Sequence, residues 1–105
     1  MAKRTIFSVT TPLGEHVVVT RDRWREIVRY KHPALAGHED DVCDCLRDPD
    51  RVCASRQDEA VRLYYRPVAD RYVCAVTGGE DPTHRILITA YFTTKIKKGT
   101  ELWKK

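Results

Sequence analysis

Hydrophobic and polar positions alternate most regularly in HRILITAYFTTKIKKG, residues 84 to 99. Successive side chains on a strand point to opposite faces, so Ile86, Ile88, Ala90 and Phe92 are predicted to share a core face. Arg85, Leu87, Thr89 and Tyr91 then share the other. Period two also marks RVCASR from 51, AVRLYYR from 60 and DRYVCAV from 70, separated by QDE and by a turn around Pro67 to Asp70. Upstream, TIFSVT (5–10) and HVVVT (16–20) flank TPLGE, whose Pro12 and Gly14 supply turn geometry, and this reads as a hairpin.

Between hairpin and strands the apolar spacing changes to that of helices. Trp24, Ile27 and Val28 form a buried stripe on a helix over about 21–31. Thr20 is placed to cap it, and Asp22 favours the positive end of its dipole. PALAG makes a corner, and a second helix over about 38–47 carries Val42, Cys45 and Leu46 inward before Pro49 stops it. Two helices followed by an antiparallel meander form an α+β pattern. The expectation is one domain over 1–105, with the hairpin and both helices packed on one face of a four-stranded antiparallel sheet and the other face open.

Parity then proposes what lies on the open face. In AVRLYYR, Val61, Leu63 and Tyr65 are expected inward, and Arg62, Tyr64 and Arg66 outward beside Arg85, Thr89 and Tyr91. In RVCASR either Ser55 or Arg56 points outward. Aromatics interleaved with arginines can stack bases and hold phosphates, and they serve equally as cross-strand pairs. On the first helix Arg21, Arg25, Arg29 and His32 fall within a sector of about 80°. His32, next to Pro33, can act as a general acid or base or can simply end the helix.

Charge adds an asymmetry. The formal net charge is +4, yet residues 38–50 carry six acids against Arg47, leaving +9 for the remainder. A basic surface able to attract nucleic acid and an acidic patch at a helix start follow. The basic tail KIKKGTELWKK adds Lys95, Lys97 and Lys98, with Ile96, Leu102 and Trp103 as anchors. Cys43, Cys45, Cys53 and Cys74 lack metal-ligand spacing and read as buried reduced thiols, so neither metal nor cofactor is expected. No apolar run approaches the roughly 18 residues of a spanning helix. MAKRTIFSV is too polar for a secretory signal, so a cytoplasmic location is expected.

The stretches RWREIVRYKHPAL, CLRDPDRVCAS, VRLYYR, RYVCAV and ILITAYFTTKIKKGTELW, in that order, resemble the barnase-EndoU-colicin-RelE-like nuclease superfamily in its small bacterial and phage forms. The resemblance covers roughly residues 20 to 103. It implies a RelE/barnase-like sheet with RNA cleavage on the exposed side, His32 as the histidine before proline, Ser55 as the hydroxyl of the third strand, and Thr89 and Tyr91 from the last. Related proteins often carry a further histidine where this chain has Glu26.

The function expected from residues and resemblance together is a metal-independent endoribonuclease, the toxin of a toxin–antitoxin or phage-encoded system. The RNA's own 2′-hydroxyl would attack, with His32 and Tyr91 moving protons. Arg66, Arg85 and Lys95 would stabilise charge on phosphorus, and Tyr64 would stack a base. Arg25, Arg29, Arg62 and Lys97 would bind the RNA backbone, and an acidic antitoxin segment would cover the same face. The alternative is a catalytically inactive module that binds nucleic acid or protein.

Overall fold

The computed structural model describes residues 4–97 and 99–105. Strands β1 (Thr5–Thr10) and β2 (His16–Thr20) form the hairpin, closed by a turn in which Gly14 takes φ +78°, a left-handed conformation that glycine adopts without steric cost. Helix α1 (Arg21–Glu26) follows directly, with Thr20 Oγ1 accepting from the Arg23 N–H at 3.2 Å. A π-helical turn (Ile27–Lys31) and a 3-10 turn (Pro33–Leu35) lead to α2 (Glu39–Arg47). Then come β3 (Arg51–Ser55), β4 (Arg62–Val68), β5 (Arg71–Gly78), β6 (Arg85–Thr93) and β7 (Gly99–Lys104).

The expected four-stranded sheet is overturned, because the strands form one mixed seven-stranded sheet in the order β1-β2-β6-β5-β4-β3-β7. The central meander is antiparallel as expected. Two additions enlarge it. The hairpin joins one side through β2, which runs parallel to β6 but pairs only at Val17↔Arg85 and Val18↔Ile86. The basic tail joins the other side as β7 against β3, where Trp103 packs on the core and Leu102 stays exposed. Short tail segments carry little periodic signal of their own, so pairing along an existing strand edge decides their conformation.

The helices cover one face, where Ile27, Leu35, Val42, Leu46, Val52, Tyr64, Val73 and Leu87 are fully buried. Here the parity expected for β4 is inverted. Tyr64 points into the core between strands and hairpin, its hydroxyl donating to Thr11 Oγ1 at 3.0 Å and Glu15 Oε1 at 3.4 Å. Arg62 and Arg66 share that face, while Val61, Leu63 and Tyr65 lie on the opposite one with Cys74 and Val76. Alternation of similar sizes identifies a strand without saying which side is covered.

Arg85 is corrected in the same way. It is 2% exposed and donates to Gly79 O, to Ala60 O at 2.6 Å and to Thr77 Oγ1 at 3.3 Å. Its Nε lies 3.7 Å from Glu15 Oε1, and Arg62 Nε lies 3.8 Å from the same oxygen. One carboxylate of the hairpin thus meets two guanidinium groups of the meander under the sheet. Removing one partner of such a buried set leaves an uncompensated charge, so Arg85→Met is expected to lower stability by about 3–5 kcal/mol in urea unfolding.

Alkaline pH probes the same core. Burial pushes the Tyr64 and Tyr65 phenols up from 10.0 to about 12. The folded state therefore holds protons that the unfolded chain loses, and the stability they contribute is full below pH 10 and lost as pH rises through about 12. Urea midpoints are expected to fall over that window, and to fall less in Tyr65→Phe.

Candidate functional site

A break in the alternation of β6 builds the site. Val76 faces Thr89 but Thr77 faces Leu87, so Ile88 is an extra residue and the strand bulges. Arg85 and Leu87 therefore point to the helices, whereas Thr89 and Tyr91, two and four residues further, point to the opposite face. Gly78 leaves space for the Ile88 side chain, whose Cδ1 would lie 2.5 Å from a Cβ there.

Beyond Ile86 the edge of β6 has no pairing with β2. The two non-α turns after α1 run beside it. In the π-helical turn the His32 N–H donates to Ile27 O at 2.7 Å, five residues back, and Pro33 ends the turn. Lys31 Nζ donates to the carbonyl of Ile88 at 3.3 Å. These contacts bring the half-buried His32 ring to 5.4 Å from the Tyr91 ring, centroid to centroid, tilted by 37°.

Two grooves meet at Tyr91. One, of about 340 Å3, is bordered by His32 with Lys31 and Arg71, whose guanidinium lies 4.0 Å from the Phe92 ring centre. The other, of about 350 Å3, carries Ser55, Arg56, Gln57, Thr89 and Lys97 around Tyr91. Lys97 Nζ stands 5.6 Å from the Tyr91 ring centre. Among the described residues four cations and no carboxylate line the pair, which suits an anionic ligand.

The far face was expected to be open, and part of it is covered. Ile96 packs on the cluster of Leu63, Tyr65, Cys74 and Val76, and the Lys97 N–H donates to Tyr65 Oη at 3.1 Å. Tyr65 and Cys74 are fully buried beneath this roof. Tyr91 Oη and Thr89 Oγ1 are also shielded, and neither has a hydrogen-bond partner. Burial pushes the Tyr91 phenol well above its ordinary value, and the adjacent Cys74 thiol pushes it further without making a hydrogen bond of normal geometry. The phenol is therefore neutral across the physiological range.

Of the residues singled out from sequence, the structure brings together His32, Tyr91, Thr89, Ser55 and Lys97. The others lie elsewhere. Arg66 binds Asp48 at the end of α2, donating to its carbonyl at 2.6 Å and its carboxylate at 3.1 Å, which gives it a structural duty. Arg62, Tyr64 and Arg85 belong to the Glu15 core set described above. Tyr64 therefore cannot stack a base. Arg25 and Arg29 line a separate groove with Asp22, Glu26 and Tyr30, because the π-helical turn carries His32 away from the arginine row. Lys95 is exposed, its N–H held by Thr93 Oγ1, and borders neither groove. Lys98 lies outside the described residues.

Glu26 faces Arg23, 3.9 Å away, and does not border the His32 groove. Lys31 and Arg71, which sequence reasoning did not place in the site, and Arg56, which it left as an alternative to Ser55, take over from the cations that left it. The Lys-His-Pro run at 31–33 was the only local signal for one of them. All four cysteines are free; Cys43 is half-buried and the rest are buried. Among the described residues no group of three or more His, Cys, Asp or Glu is placed to hold a metal ion, and no helix is long and apolar enough to cross a membrane.

No protein-family model, no curated protein and no solved structure matches the chain. The resemblance to the nuclease superfamily rests on its sequence stretches alone.

The shielded phenol separates structural from functional duty. A buried hydroxyl without a partner costs about 1–3 kcal/mol, so Tyr91→Phe is expected to raise stability by about 1 kcal/mol in urea unfolding. The same substitution lowers activity if the hydroxyl is used.

Proposed function

We propose that this protein is a metal-independent endoribonuclease acting at the junction of the two grooves. The observation that carries the reading is the tilted contact of the His32 and Tyr91 rings, with centroids 5.4 Å apart, between cations on both sides. A phosphodiester seated there has Lys31 and Arg71 on one flank and Lys97 and Arg56 on the other to offset its charge.

The RNA supplies its own nucleophile. His32 accepts the 2′-hydroxyl proton as O2′ bonds to phosphorus, and the P–O5′ bond breaks with a proton donated to O5′. The neutral Tyr91 phenol is the donor in this reading, and the phenolate it leaves regains its proton from solvent. Products are a 2′,3′-cyclic phosphate and a free 5′-hydroxyl. No step calls for a bound metal. A cytoplasmic toxin, held inactive by an acidic antitoxin segment over the cationic grooves, is the setting we propose for this activity.

Positioned proton transfer contributes about 10² to 10⁴-fold. His32→Ala is expected to slow cleavage of labelled single-stranded RNA on that scale with binding retained, and EDTA to leave the rate unchanged. Unaltered cleavage by His32→Ala removes the imidazole from the mechanism.

The shielding of Tyr91 Oη and Thr89 Oγ1 favours a second reading, in which the grooves bind RNA without cutting it. RNA retained at low salt with no cyclic-phosphate product, and no growth arrest on induced expression in bacteria, distinguishes that case.

A further inference from the structure

Helix α1 and the π-helical turn after it form one continuous rod, because Ile27 at their junction keeps helical dihedrals of φ −61° and ψ −50°. Side chains along the rod are exposed in adjacent pairs, Arg21 with Asp22, Arg25 with Glu26 and Arg29 with Tyr30, and the residues between them are buried or half-buried. Asp22, Arg25, Glu26, Arg29 and Tyr30 border one groove of about 350 Å3, and Tyr30 is 74% exposed.

Charge on this face is left uncompensated. Arg21, Arg25 and Arg29 recur at every fourth position, as do Asp22 and Glu26, and like charges at that spacing weaken a helix. Among the described residues the three arginines and Asp22 make no ion pair, and Glu26 reaches only Arg23, at 3.9 Å. The order of the exposed pairs reverses onto itself. Turning the rod end over end about the midpoint of Arg25 and Glu26 exchanges Arg21 with Tyr30, Asp22 with Arg29 and Arg25 with Glu26. Each exchange sets a cation against a carboxylate or an aromatic ring. RNA or an acidic protein would meet Asp22 and Glu26 beside the arginines, whereas an antiparallel second copy satisfies both signs at once.

We infer that this face is the contact of a two-fold homodimer in which the rods of two copies pack antiparallel. Arg25 of each copy faces Glu26 of the other, Asp22 faces Arg29, and the Arg21 guanidinium covers the Tyr30 ring. A standard dimer buries about 800 Å2 per partner, about an eighth of the 6461 Å2 surface of this chain. Neighbouring grooves extend the contact towards that size: one shares Arg25 and holds the exposed Ile6, the other shares Asp22 and Glu26 and holds the exposed Ile86. With Tyr30, these are three of the four large apolar or aromatic side chains exposed among the described residues. None of these residues borders the grooves at Tyr91, so the dimer forms whether or not RNA is cleaved.

The test is the mass of the full chain in solution, followed by sedimentation equilibrium at low salt up to about 500 µM, which covers dissociation constants from micromolar to near-millimolar. Wild type is expected to reach the dimer mass, and about 0.5 M NaCl to weaken the association several-fold by screening the exposed pairs. Tyr30→Ala is expected to weaken it about threefold, the worth of an exposed cation–π contact. Arg25→Glu and Glu26→Arg each turn both central pairs into like charges, so either variant alone is expected to self-associate at least about tenfold more weakly. Mixed in equal amounts, the two variants set opposite charges against each other again and are expected to form a heterodimer about as tight as the wild-type dimer. Misfolding of a variant does not produce that gain. A wild type that stays monomeric throughout, a dimer that neither charge variant weakens, or folded variants that do not recombine overturns the proposal.

Discussion

The extra residue in β6 is the constraint on which the rest of the molecule depends. A regular strand would send Arg85, Leu87, Thr89 and Tyr91 to one face. The bulge at Ile88 divides them, so the first two join the helix-covered core and the last two reach the other face. Its displaced carbonyl is taken by Lys31, which ties the turn carrying His32 to the strand carrying Tyr91. The site geometry therefore follows from one irregularity and the groups that accommodate it, Gly78 beneath and Lys31 beside.

The two faces of the sheet divide the work. On the helix side, Glu15 with Arg62, Arg85 and Tyr64 joins the hairpin to the meander by buried polar contacts, which specify one docking geometry at the cost of desolvation. On the other side, Ile96 and Lys97 roof Tyr65 and Cys74, and the grooves flank Tyr91 where that roof gives way. Arginines invested in the core are unavailable to a ligand. The cations at the grooves come instead from turns and strand ends, where a long side chain can move without disturbing the ladder.

Burying Tyr91 Oη and Thr89 Oγ1 without a hydrogen-bond partner among the described residues is unfavourable for stability.

Local signals in the chain determined the hairpin, the start of α1 at Thr20, the limits of α2 and the existence of four meander strands, because caps, turn residues and short periods act within a few residues. They also singled out His32, Thr89, Tyr91, Ser55 and Lys97. Tertiary structure alone decided the rest. Which side of β4 is covered depends on a carboxylate about fifty residues away in sequence. The bulge in β6 shows only in its pairing with β5, the pairing of β2 with β6 is parallel and remote, and β7 pairs along the edge of β3. Alternation of like-sized residues is symmetric between the two faces of a sheet, and only packing against distant elements breaks that symmetry.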